Sequence, residues 1–216
     1  MLPQKYQSAP NAIASYTWTD LLTGKAYKKF YGTKAESGYI LVTEPLRSTE
    51  GYITTAAAAN TDVMTKVIDV TFETTFDIPQ IIEGLSMINA TLGGVSVTDV
   101  TTKTWKMVCD IYKNTTFLAS GATAILSGTT TAVATADSSE ILLDITLPKT
   151  SFARGDTLKL QCEMWAKKVT GNPGTNIFAI GNDPADRNDP NAAASKVIED
   201  ADTTKLEFYV PFVPDL

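Results

Sequence analysis

The chain has 216 residues, 24 acidic against 18 basic side chains, a net charge of −6 and no histidine. This length suits one large β domain, or one domain with an extended N-terminal arm, and buries enough surface to stand without disulfide or metal staples. Ser-His-Asp and Cys-His catalysis and His-ligated zinc are excluded, and the two short basic spots, Lys25 to Lys29 and Lys167 to Lys168, are too few to expect nucleic acid as a partner.

Met1 to Lys5 lacks a basic stretch followed by an apolar core, so no signal peptide is expected. No apolar run is long enough to span a bilayer, so no membrane partner is expected. Residues 1–15, with Pro3 and Pro10, read as an arm, and short strands are expected over Tyr16–Leu22, Ala26–Tyr31 and Tyr39–Val42, separated by Gly24, Gly32 and Gly38. Residues 54–66 contain the run Ala56 to Ala59, and periodicity leaves a short helix and a loop both open. Residues 1–65 are therefore taken as an arm with short strands, packed on the core or on a neighbouring subunit, and residues 66–216 as the core itself.

From Lys66 the pattern turns regular. Ile68, Val70, Phe72 and Phe76 alternate with Asp69, Thr71 and Glu73, as in a half-buried strand. Pro79 interrupts, and a second strand is expected over Ile82–Leu92, ending at Gly93 and Gly94 in a positive-φ turn. Further strands are expected over Trp105–Lys113, Ala122–Ser127, Ile141–Leu147, Leu158–Lys168, Asn176–Ile180 and Lys205–Phe212. Between Leu147 and Leu158, Pro148 and Gly155 mark a connection too long for a two-residue hairpin, which allows its two strands to lie in opposite sheets. Threonine, β-branched and tolerant of solvent, fills 32 positions. About eight main strands at this spacing predict an all-β, antiparallel β-sandwich with a jelly roll as its topology.

Candidate chemistry is sparse. Cys109 and Cys162 both fall on the apolar parity of their strands, which favours two buried free thiols in a reducing cytoplasm over a disulfide. Asp69 with Glu73, and Glu140 with Asp144, are carboxylate pairs on one strand face, the minimum for glycoside hydrolysis, but acids on a wet strand face serve solubility equally well. The expectation is no enzyme. Residues 181–191 read as a surface loop rich in side-chain oxygens, with Asp183, Asp186 and Asp189 as a weak calcium site in the alternative; no other cofactor is expected. Trp165 lies on the polar parity of its strand, and Tyr16 and Trp18 enrich the N-terminal segment in aromatics. These three are the candidate interface residues, with cover by the chain's own arm as the competing account for Trp165. Asn89-Ala90-Thr91 and Asn114-Thr115-Thr116 match the glycosylation pattern and read as chance in a Thr-rich chain.

Several segments resemble virion structural proteins of tailed bacteriophages and related environmental viruses, most strongly over residues 66–212. The resemblance is carried by Phe76-Asp77-Ile78-Pro79-Gln80, by Leu147-Pro148-Lys149-Thr150 through Thr157-Leu158, by Gly181-Asn182-Asp183-Pro184 and by Tyr209-Val210-Pro211-Phe212. It implies a jelly-roll protein, made in the host cytoplasm and resident in the virion. Such a protein would assemble as a homo-oligomer, a trimer among the options, and coat or decorate a capsid in contact with other capsid proteins. A shell or tail component is the nearest alternative. A carbohydrate-binding sandwich using Trp165 and Tyr112 as stacking platforms is the alternative from another class.

Overall fold

The computed structural model describes residues 26–35, 38–44, 52–54, 63–96, 102–129, 136–170, 176–182 and 205–213. Within them the regular structure is all β: β1 (Ala26–Ala35), β2 (Gly38–Val42), β3 (Tyr52–Thr54), β4 (Thr65–Thr75), β5 (Gln80–Ser96), β6 (Thr102–Lys113), β7 (Thr116–Ala122), β8 (Leu126–Thr129), β9 (Ala136–Phe152), β10 (Thr157–Thr170), β11 (Asn176–Gly181) and β12 (Leu206–Phe212). Period-two patterning does what it should. On β6 and β10 alternate residues are buried, and the buried set is the apolar one.

Hydrogen-bonded neighbours follow the path β3-β11-β5-β12-β1-β2-β4-β10-β6-β7, with β9 also paired to β5 and β8 to β6. The ladders are antiparallel except at one point, a parallel bridge between Ile40 of β2 and Glu73 of β4. There the path turns and its halves face each other as two sheets in a sandwich-like arrangement. The first sheet holds β9, β5, β12, β11, β3, β1 and β2; the second holds β4, β10, β6, β7 and β8. Rings meet across the gap, with Phe76 at 5.0 Å from Phe152 and 6.0 Å from Phe212. At the opposite side β7 and β9 pack together, Gly121 under Ile145, but share no ladder, so the sheets do not close into a barrel.

The long strands pair in a nested order: β1 with β12, β4 with β10, β5 with β9 and β6 with β7. The inner faces form one apolar core that includes Phe30, Phe72, Ile88, Trp105, Leu160 and Phe208. One charged side chain breaks the pattern. Lys103, at the start of the inner face of β6, is fully buried, and its Nζ makes no hydrogen bond.

Four expectations need correction. Gly93 and Gly94 do not end a strand or form a positive-φ turn; β5 runs through them to Ser96. Gly94 is there for space, because a Cβ on it would stand 3.1 Å from the Phe178 ring. Pro148 lies inside β9 and not in a connection, at the register shift where Ile82 and Gly84 of β5 pair with Thr150 and Leu147. Among the described strands β9 pairs with β5 alone, and an edge strand at an irregularity tolerates a residue without an N–H. The connection itself is residues 153–156, and as expected it crosses between sheets. The segment Ala122–Ser127 is not one strand: β7 ends at Ala122 and β8 begins at Leu126, both against β6. Gly32 does not end β1, which continues to Ala35.

Candidate interaction surfaces

The outer face of the second sheet carries Trp165. Cross-strand register sets Trp165 between Lys66 of β4 and Lys106 of β6, and Glu163 between Asp69 and Val108. Lys66 Nζ donates to Asp69 Oδ2 at 2.7 Å and to Glu163 Oε1 at 3.0 Å, Gln161 Nε2 donates to Asp69 Oδ1 at 2.7 Å, and Trp165 Nε1 donates to Glu163 Oε2 at 2.9 Å. The Lys106 ammonium lies 6.0 Å from the indole centroid. Hydrogen bonds from Lys66 and then Gln161 hold the Asp69 carboxyl below its ordinary range, and hydrogen bonds to Asp69 and then Glu163 hold the Lys66 ammonium above its own. Trp165 is half-buried within this network. One row further on, Tyr112 meets Phe117 edge-on at 5.7 Å, and Phe117 is 54% exposed.

Three of the four carboxylates singled out in the sequence pair with lysines. Glu73 pairs with Lys159 at 2.9 Å, Asp69 with Lys66, and Glu140 with Lys205 at 3.0 Å. Asn114 is engaged at both ends of its amide, donating to Asp156 Oδ1 at 2.9 Å and accepting from the Thr157 N–H at 2.8 Å. Asn89 lies within β5.

The outer face of the first sheet has a different character. Register lines up Tyr31, Glu207, Asn89 and Leu142 in one row, Lys29, Tyr209, Met87 and Asp144 in the next, and sets Leu85 opposite Thr146 beyond them. Leu142 is 66% exposed, Leu85 43% and Tyr27 37%. At its centre Lys29 forms an ion pair with Glu207, and its ammonium lies 4.6 Å from the Tyr31 ring centroid and 5.4 Å from that of Tyr209. Burial opposes the charge on Lys29, but hydrogen bonding to Glu207 and the two tyrosines outweighs it and raises the pKa. No motif search finds this face. It arises from single apolar residues on the outward parity of separate strands, brought together by register.

At the corner where β2 and β4 diverge lies a cleft of about 390 Å³, with Phe30, Leu41 and Phe76 on its floor and Lys28, Glu44 and Asp77 among its polar residues. Burial lowers the Lys28 pKa, and Asp77 partly offsets it. Tyr16, Trp18, Asp183, Asp186 and Asp189 lie outside the described residues, as does the expected strand Tyr16–Leu22. Among the described residues no three Cys, Asp or Glu side chains gather in a way that could hold a metal ion.

No protein-family model matches the sequence, and no curated protein is similar to it. Among solved structures, a CocE/NonD family hydrolase from Staphylococcus aureus aligns at 12% identity and a TM-score of 0.46, over 88% of this chain and 37% of its own. An α-amino acid ester hydrolase aligns at 11% identity and 0.47, over 86% and 36%. Infectious bursal disease virus, Gx strain, aligns at 12% identity and 0.24, over 85% and 46%. The chain thus spans little more than a third of the two hydrolases and under half of the viral protein.

Proposed function

We propose that this chain is a non-enzymatic jelly-roll protein that assembles with copies of itself and coats or decorates a viral capsid. The jelly roll is supported by strand order. The eight strands of seven or more residues are β1, β4, β5, β6, β7, β9, β10 and β12. Numbered first to eighth, one sheet runs first, eighth, third, sixth and the other second, seventh, fourth, fifth. This is the order produced by wrapping one long antiparallel hairpin into two facing sheets of a double Greek key, an architecture used by capsid proteins, lectins and cupins alike. Fold alone therefore does not choose the function.

The observation that carries the assembly reading is the contrast between outer faces. One is dominated by ion pairs around Trp165, with Phe117 exposed at its edge; the other presents Leu142, Leu85 and Tyr27 to solvent around the Lys29–Glu207 pair. Several exposed apolar side chains on one sheet face make that face the candidate contact surface. Light scattering at rising concentration tests it: an oligomeric mass is expected, and a monomer throughout would overturn self-assembly. Recovery of the protein in purified particles from its source tests the capsid role.

One observation favours carbohydrate binding as a second reading, namely Trp165 among hydrogen-bonding groups on the outer face of the second sheet. Glycan-array binding that is lost in Trp165→Ala would support it over assembly.

A further inference from the structure

We propose that Cys109 and Cys162 are a covalent modification site, closing to an intramolecular disulfide by exchange with a low-molecular-weight disulfide while the chain folds, after which the packed core shields the bond.

Register makes the first argument. Cys109 and Cys162 are direct partners on β6 and β10, their sulfurs 3.9 Å apart in the core, and both are fully buried. The kind of partnership matters more. Asn114 N–H donates to the Thr157 carbonyl at 2.8 Å, which places that pair at a hydrogen-bonded position of the ladder. Pairs alternate along an antiparallel ladder, and Cys162 lies an odd number of steps from Thr157 with no register shift between, so Cys109 and Cys162 form a non-hydrogen-bonded pair. The other edge of β10 agrees. Phe76 N–H donates to the Asp156 carbonyl, which makes Cys162 a hydrogen-bonded partner of Val70 and turns its free side toward β6. Non-hydrogen-bonded partners have Cα atoms about 4.5 Å apart, inside the span a disulfide accepts, so side-chain rotation can close the bond.

The remaining arguments concern competition and access. The chain has only these two cysteines, so no alternative intramolecular pairing exists. In the exchange, the thiolate of one cysteine attacks glutathione disulfide, forming a mixed disulfide and releasing one glutathione thiolate. The second cysteine then attacks the mixed disulfide, the protein bond forms, and a second glutathione leaves. Two protein thiols are oxidised, one glutathione disulfide is reduced to two glutathiones, and the protein's two thiol protons pass to the departing thiolates. Once the sheets close, both sulfurs are fully buried away from any reagent, and burial also raises the Cys109 thiol well above its ordinary pKa.

The test is refolding of the full chain from denaturant, once with glutathione and glutathione disulfide and once with a phosphine reductant, followed by alkylation in denaturant and intact-mass measurement. The oxidising arm is expected to give monomer lacking two hydrogens and carrying no alkyl group, with a melting temperature raised by roughly 5–10 °C over the reduced arm. Doubly alkylated monomer, glutathione adducts or disulfide-linked dimers in that arm would overturn the proposal. Glutathione disulfide added to folded, reduced protein is expected to leave both thiols intact over the refolding time, and rapid reaction there would overturn the shielding. The Cys109→Ala, Cys162→Ala double variant is expected to melt identically in both arms; a difference would assign the shift to the buffer and overturn the stabilisation.

Discussion

At the residue scale, the two side chains with the largest consequences are Lys103 and Asp156, and their charges act in opposite senses. The Lys103 amine is enclosed and unbonded; burial lowers its pKa to about 8, only partly offset by Asp137. An unfolded lysine titrates near ~10.4, so between pH ~8 and ~10.4 the unfolded chain holds the proton more firmly and stability rises with pH. Lys103→Met keeps the apolar stem and removes the amine. It is expected to stabilise the protein at pH 7 by about 1–3 kcal/mol and to abolish that alkaline rise. Urea unfolding at pH 7 and above pH 10 checks both, and a variant weaker than the parent at both would refute the reading. Asp156 is the reverse case. Its carboxyl accepts from Asn114 Nδ2, Lys113 Nζ and the Ala153 N–H, which lowers its pKa to about 2. The folded value lies below the unfolded one near ~3.9, so the stabilisation is present above that pH and is lost as pH falls toward 2. Asp156→Asn is therefore expected to unfold more easily than the parent at pH 7 and to converge on it near pH 2.

At the element scale, side chains from one loop hold another. Asn114 occupies the tight turn between β6 and β7 with φ of 54°, and its amide bridges to Asp156 and Thr157 at the β9–β10 connection. Asparagine tolerates that left-handed backbone and carries both a donor and an acceptor, so one residue ties two turns. Glycines inside strands serve packing instead. A Cβ on Gly32 would stand 2.4 Å from Leu206 Cδ2 and 3.0 Å from Phe72 Cε1, both side chains fully buried. Gly32→Ala is expected to cost about 1–3 kcal/mol, and clearly less in a Leu206→Ala background. Equal costs in the two backgrounds, measured by denaturant titration, would show that the clash is relieved elsewhere. These glycines explain which elements were legible in the sequence. Strands such as Ile141–Leu147 and Leu158–Lys168 announce themselves by alternation, which is local. Gly32 and Gly94 mislead because their reason is a ring or methyl group from a strand far along the chain.

At the scale of the whole molecule, all-β class and the crossing between β9 and β10 were readable, because burial parity and connection length are properties of short windows. The nested pairing of β1 with β12 and β4 with β10 was not, since no residue of one strand specifies a partner more than 80 positions away. The candidate surface divides in the same way. Trp165 stood out as an aromatic on a polar parity, and the structure finds it half-buried in a network of charges. Leu142 and Leu85 were invisible as a pair, because one is on β9 and the other on β5, and only register puts them on a shared face. That face yields a separable prediction. Leu142 is 66% exposed, so Leu142→Lys should leave fold stability within about 0.5 kcal/mol of the parent. In an interface the same change buries an ammonium with no assigned partner, which opposes association strongly. The double variant Leu85→Lys, Leu142→Lys is therefore expected to scatter light as a monomer at concentrations where the parent is oligomeric, with its melting temperature nearly unchanged. Trp165→Lys, on the opposite face, is expected to keep the parent's mass. If Trp165→Lys dissociates the oligomer and the double variant does not, the second sheet is the contact surface and the apolar face of the first is not.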